Sequence, residues 1–307
     1  MTTSLIRQLL LTAALLLVCY YPEGLFSPSP SFALAFSSSA PPPTPPLQPL
    51  PKNLPSNPND VVRQAAISIT KAYECGIYLQ TIRLPLSEII YGNKEEGFVA
   101  DRAIGWQGGP METYRYLSPL VSNLLPRIKT FNNTAGLNVK VSEQILLDFD
   151  GSSLQTSEHP AGALYDVQAL LQPNTDGYYT KIIQTIEEQF CNTNKSGGKN
   201  IIRPNRLFLL VNPSWRDKSS WGIFGAKRAQ ELILNRYETT YACDQFIVGG
   251  RQISLLKCWS SDWGLYVAND NKNVMSTPAE LIATYATRPE YKDIDATLKK
   301  NHATEKA

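Results

Sequence analysis

An α/β domain, with a mainly parallel sheet flanked by helices and closed by an antiparallel meander and a last helix, is the fold this sequence predicts. Three observations carry that reading. Short apolar runs alternate with amphipathic stretches between Val61 and Tyr237. The run Leu207-Phe208-Leu209-Leu210-Val211 is uniformly apolar and bounded by polar residues, as a central parallel strand is. After Tyr237 the pattern changes to short strands separated by Gly249-Gly250 and Ser260-Ser261-Asp262, which are hairpin signals. Strands alternating with helices put helices on both faces of a sheet.

The elements follow in order. Asn59 or Asp60 caps a first helix over Val61 to Cys75, and Gly76 stops it. Leu79 to Leu84 reads as a strand that Pro85 ends. Ser87 to Asp101 reads as a loop with some helical content. Gly108-Gly109-Pro110 opens a long helix whose apolar stripe is Tyr114, Leu117, Val121, Leu124, Leu125 and Ile128. Pro119 and Pro126 interrupt it. Val139 to Val141 and Ile145 to Phe149 are strand material, and Gly151 starts a turn. Ala163 to Leu171 is a buried strand, Thr175 to Phe190 an amphipathic helix, and Asn192 to Asn200 a surface loop. Phe224 to Tyr237 is the helix after the Leu207–Val211 strand. Thr277-Pro278-Ala279-Glu280 pairs an N-cap with Pro and an acidic residue, and so starts the last helix.

Residues 1–35 read as a signal peptide. Arg7 supplies a short positive n-region, and Leu9 to Cys19 is an apolar run too short to span a bilayer. Ala33-Leu34-Ala35 is a small-x-small cleavage pattern, followed directly by Phe36. Residues 36–58 form a Ser- and Pro-rich, transit-like linker in which Pro41 to Pro51 has no hydrophobic period and cannot fold alone. Residues 59–296 are the single α/β domain, and 297–307 a polar, frayed tail. An Ala-x-Ala site followed by Phe and an acid-poor Ser/Ala/Pro stretch resembles the bipartite plastid presequences of algae with secondary plastids. Glu23 is the only acidic residue before Asp60. That resemblance implies plastid delivery, to the stroma or the thylakoid surface.

With 43% hydrophobic and 18% charged residues, the chain has the composition of a globular protein that buries a core. A net charge of +2, with no basic run beyond Lys299-Lys300, argues against a nucleic-acid partner or an acidic membrane surface. None of the five cysteines forms a C-x-x-C pair, so no zinc site is read. Cys243 and Cys258 fall on neighbouring predicted strands and read either as free buried thiols or as a bridge.

Four places carry candidate chemistry. Ile145 to Gly151 ends a strand in Asp148-Phe149-Asp150-Gly151, which resembles the first motif of haloacid-dehalogenase-type phosphatases. Ser152 stands where that family has Thr, and the later motifs have no counterpart, so a strand ending in a polar turn explains Asp148 and Asp150 as well. Gly108-Gly109, and Gly222 with Gly225, precede predicted helices, where backbone N–H groups hold anions, and Lys227 and Arg228 follow in the first turn. Neither is a phosphate-loop or dinucleotide fingerprint, and tight turning accounts for the same glycines. Asn212-Pro213-Ser214-Trp215 follows the Leu207–Val211 strand at the edge where open α/β sheets bind ligands; a capping turn is the alternative. Trp259, Trp263 and Tyr266 read as a ligand platform or as the packed face of a small sheet. His159 and His302 are the only histidines, which leaves no catalytic triad. No complete catalytic constellation, metal site or cofactor is read.

The ordered set Phe208 to Trp215, Gly222 to Ala229, Arg236 to Tyr241 and Trp263 to Val267 resembles domain-of-unknown-function family 1995 of cyanobacteria, algae and plants. The resemblance covers roughly Asn59 to Pro289. The family includes chloroplast low-photosystem-II-accumulation proteins, and its domain is also appended to a chloroplast adenylate kinase. The resemblance implies a plastid protein that acts by binding, as an auxiliary to photosystem II assembly or another thylakoid process, with no transmembrane span in its mature form. It supplies no catalytic residues. The alternative from the residues is a nucleotide- or phosphate-binding domain or enzyme, with Asn212, Trp215, Gly222, Gly225, Lys227 and Arg228 as its site. A dehalogenase-type phosphatase is a further one.

Overall fold

Asn57 caps helix α1 (Pro58–Glu74), its side chain accepting the Asp60 N–H at 2.9 Å. The cap lies two residues before the earliest position the sequence suggests, because Pro58 fits the first helical turn. The computed structural model describes residues 49, 54–86, 109–130, 139–147, 151–162, 165–190, 206–216, 218–222, 227, 229–249, 251–267 and 279–305, all inside the compact unit Pro43–Ala307. The presequence and the predicted loops at Ser87–Asp101 and Asn192–Asn200 lie outside the described residues, apart from Pro49 and residues 54–58 of the linker.

The remaining elements are β1 (Leu79–Arg83), α2 (Pro110–Leu124, continued by a 3-10 turn over Leu125–Arg127), β2 (Lys140–Leu147), β3 (Ser152–Glu158), β4 (Val167–Leu171) and α3 (Gly177–Phe190). Then come β5 (Leu207–Val211), a 3-10 turn (Lys218–Trp221), a π-helical turn (Gln230–Leu234), β6 (Glu238–Val248), β7 (Arg251–Cys258), β8 (Trp263–Val267), β9 (Glu280–Tyr285) and α4 (Tyr291–Glu305). The described strands form one sheet in the order β2-β3-β4-β5-β1-β6-β7-β8-β9.

The fold is α/β, but the sheet is not mainly parallel. Only β4–β5, β5–β1 and β1–β6 are parallel pairings. The other five are antiparallel, at both flanks of the sheet. Two misread strands account for much of the difference. β3 (SSLQTSE) has no apolar alternation; Ser152, Ser153, Gln155 and Ser157 are buried, and Ser153 and Gln155 meet polar partners instead of a greasy core. Gln155 Nε2 donates to Ser118 O, Ser118 Oγ and Glu143 Oε1 at 3.0 to 3.1 Å, and Ser153 Oγ donates to Glu143 at 2.7 Å. β9 occupies the segment that Thr277 to Glu280 marks as a helix start; pairing with β8, from Trp263↔Tyr285 to Val267↔Glu280, overrides that local signal. The last helix starts later, and it runs through Thr297 to Glu305 where a frayed tail was expected. Between Phe224 and Tyr237, Lys227 and Ala229 are helical and lead into the π-helical turn, which ends before Tyr237.

The strand period of two sorts the core into layers. On one face Ile82, Leu207, Leu209, Val211, Tyr241 and Cys243 pack under α1 and α2. On the other, Phe208 and Leu210 meet Ile183 and Ile186 of α3 and Ile233 of the π turn. Farther along that sheet, Ala242, Leu255 and Leu265 pack with Ile294 and Leu298 of α4.

Candidate functional site

The C-terminal ends of the parallel strands are built first by the backbone. Gln172 after β4 and Asn212 after β5 both turn into the left-handed region, at φ 51° and 48°. Their N–H groups extend the ladder to Val211 O and Ile82 O, each at 2.9 Å. The Asn212 amide then closes the gap between β5 and β1. Its Nδ2 donates to Leu84 O at 2.8 Å, and its Oδ1 accepts the Leu84 N–H at 2.7 Å. Asn tolerates that backbone better than most residues and carries the amide that mimics a strand partner.

The side chains fill what remains. Trp215 is 3% exposed, and its ring lies 4.8 Å from that of Trp221. Arg83, at the end of β1, donates to Pro213 O at 3.0 Å and also to Trp215 O. Burial pulls the Arg83 pKa below its ordinary value; Asp244 opposes that, while Arg216 and Arg288 add to it. Arg288 in turn pairs with Asp244 at 2.9 Å and lies 5.9 Å from the Trp263 ring. Two of the three cations here are therefore occupied by internal acceptors.

The sequence-predicted residues divide accordingly. Asn212, Trp215 and Gly222 lie in one loop system, joined by the Lys218–Trp221 turn. Asn212 and Trp215 act as a clamp and a plug. Lys227 is exposed. Gly225, Arg228, Asp148 and Asp150 lie outside the described residues. The strand leading to Asp148 and Asp150, β2, is the outermost strand and antiparallel, away from the parallel ends that form ligand crevices. Gly151, next to them, has φ +65° and a Cβ there would stand 2.5 Å from Tyr114 Cβ, so only glycine fits. Trp263 and Tyr266 are buried core residues, and Trp259 is half-buried. Cys243 and Cys258 are free thiols, since Cys243 pairs in register with Leu256 and Cys258 with Tyr241. Among the described residues no three His, Cys, Asp or Glu side chains gather as a metal site.

An open site lies elsewhere, on the outward side of α1. A cavity of about 330 Å³ is lined by Arg63, Ala66, Ile67, Thr70, Lys71, Glu74, Arg127 and Lys129. A second, of about 170 Å³, shares Ile67 and Lys71 with it and reaches Trp259. Ile67 is 52% exposed between them. Both walls are tied to the helix. Thr70 Oγ1 accepts the Lys129 N–H at 3.1 Å. Ser68 Oγ donates to Thr240 O at 2.6 Å and accepts the Trp259 N–H at 2.5 Å. Burial pushes the Cys258 thiol, also on the wall, up to about 12, so it is no nucleophile at neutral pH. The arrangement offers a preformed apolar patch with a cationic rim and no catalytic group. Sequence reasoning missed it, although Ile67 sits four residues from both Arg63 and Lys71, on the polar stripe of an amphipathic helix.

The profile of the family described as "Domain of unknown function (DUF1995)" matches residues 55–296. The chain belongs to this family. No match emerges among curated proteins or among solved structures. Among the described residues no helix is long and apolar enough to cross a membrane.

Proposed function

We propose that this is a plastid-targeted α/β protein that acts by binding another plastid protein, as an auxiliary to photosystem II assembly or another thylakoid process. The observation that carries the binding reading is the contrast between the two surfaces above. The strand ends, where an α/β enzyme of this kind would hold a ligand, are plugged by Asn212, Arg83 and Trp215. The outer face of α1 is left with an exposed Ile67 in a groove. The plastid part rests on Ala35-Phe36 and the Ser/Pro-rich stretch after it, and on the resemblance to chloroplast members of the family.

Two experiments test it. A C-terminal fluorescent fusion of the full chain, expressed in a diatom, should enter the plastid; accumulation in the secretory pathway would end the plastid reading. Crosslinking of the tagged full chain in that alga should then capture a stromal or thylakoid protein, identified by mass spectrometry and confirmed by reciprocal capture. A thermal-shift screen with nucleotides and sugar phosphates should stay flat, because a true ligand at 100 times its Kd adds about 2.7 kcal/mol.

A further inference from the structure

We propose that the groove on α1 is a docking site for an acidic, partly apolar peptide segment of a partner protein, which lies along the helix with one apolar side chain against Ile67. The inference rests on the binding reading and deepens it.

Charge is the first argument. The larger cavity is lined by four cations, Arg63, Lys71, Arg127 and Lys129, against one carboxylate, Glu74. Arg63 is paired with Asp60 at 2.8 Å. Arg127 and Lys129 have no ion pair among the described residues, unlike Arg288 at the strand edge. Two unpaired cations on a rim around an apolar centre attract an anionic chain more than a neutral one.

Shape is the second. Arg63 and Glu74 are eleven residues apart on a helix, so the groove runs about 16 Å at 1.5 Å per residue. An extended peptide covers that span with about five residues at 3.3 Å each. A compact anion would fill one cavity and leave the other. The two cavities flank the Ile67–Lys71 ridge, one against Arg127 and Lys129 and the other against Cys258 and Trp259, so a chain lying along that ridge touches both.

Unsatisfied polar atoms are the third. Gln64 Oε1 and Trp259 Nε1 are shielded from solvent without hydrogen-bond partners among the described residues, and both residues line the smaller cavity. One is an acceptor and the other a donor. A small rotation of the two side chains would bring that pair to a peptide backbone, which supplies one N–H and one C=O per residue. The walls are already hydrogen-bonded to α1 through Thr70 and Ser68, so little ordering opposes docking.

The test is fluorescence anisotropy on the full chain with a fluorescein-labelled peptide, DEDLEDE, and KRKLRKR as its charge-reversed control. The acidic peptide should bind at least about tenfold tighter than the basic one, and weaken steeply between low and high salt. The double variant Arg127→Glu/Lys129→Glu should lose at least about tenfold, and Ile67→Asp a similar amount. Trp259→Phe, which removes only the N–H, should lose a few-fold. Circular dichroism on each variant guards against misfolding; the substituted Arg127 and Ile67 are exposed. Equal binding of both peptides overturns the proposal. So does displacement of the acidic peptide by equimolar inorganic phosphate, which marks a small-anion site, or by phosphatidylglycerol vesicles, which marks a lipid surface. If wild type and the Arg127→Glu/Lys129→Glu protein capture the same partner equally in the alga, the binding function stands and this groove does not carry it.

Discussion

The C-terminal ends of β1 and β5 and the outer face of α1 present the same kinds of residue, cations beside aromatic rings, in opposite states. At the strand ends two of the three cations are consumed internally, although the Trp221 indole N–H, like that of Trp259, has no acceptor among the described residues. Arg83 holds two carbonyls, Arg288 holds Asp244, and Trp215 is buried against Trp221. On α1, Ile67 is exposed, and among the described residues Arg127 and Lys129 have no ion pairs and the Trp259 indole N–H has no acceptor. A cation beside an aromatic ring does not mark a site by itself. What marks one is polar and apolar capacity that the chain leaves unspent.

The comparison breaks first at Asn212. Replacing it with Val removes both amide bonds to Leu84 and puts a β-branched residue in the left-handed region. Stability should fall by about 3 kcal/mol, from roughly 0.5 to 1.5 kcal/mol per bond and 1 to 2 for the backbone. Asn212→Gly keeps the backbone and should cost only the bonds. Urea unfolding separates the two; an Asn212→Gly protein as stable as wild type would mean that the amide does nothing beyond tolerating its φ. Gly151→Ala comes next, at about 2 kcal/mol by the same unfolding assay, since its new Cβ meets Tyr114 as well as a left-handed backbone.

A pH series examines the floor beneath the groove. Burial raises the thiol of Cys243 and pushes that of Cys258 up to about 12. In the unfolded chain both titrate at about 8.5. Above that value the unfolded state releases protons that the folded state keeps, so stability is full at neutral pH and falls as pH rises toward the folded values. A loss of about 1 kcal/mol per thiol by pH 9.5 is expected, and Cys258→Ala should remove about half of the total. A wild-type profile flat from pH 7 to 9.5 would show that this floor is wet. The smallest stability effect belongs to Ile67→Ala, within about 0.5 kcal/mol, because an exposed side chain loses little on truncation.

How far these regions were legible beforehand follows from what each one uses. β5 reads directly because all five of its residues are buried and apolar. β3 does not, because its burial depends on Glu143, which lies on another strand, and on Ser118 of α2. β9 carries a helix-start signal that only its pairing with β8 overrules. Asn212 and Trp215 were legible as special but not as a plug, since their partners Leu84 and Arg83 lie about 130 residues earlier in the chain. The groove was least legible. Its rim comes from the turn after α2 and its far wall from the β7–β8 turn, so only Ile67 among Arg63, Lys71 and Glu74 hinted at it.

The central claim, that the strand edge is structural and the α1 groove functional, is tested most directly by titrating the DEDLEDE peptide into two variants side by side, at a temperature where both are folded. Asn212→Gly should be the less stable protein and bind with wild-type affinity. Arg127→Glu/Lys129→Glu should keep wild-type stability and lose at least about tenfold in affinity. The opposite pattern, with binding lost at Asn212 and kept in the charge reversal, would contradict the account.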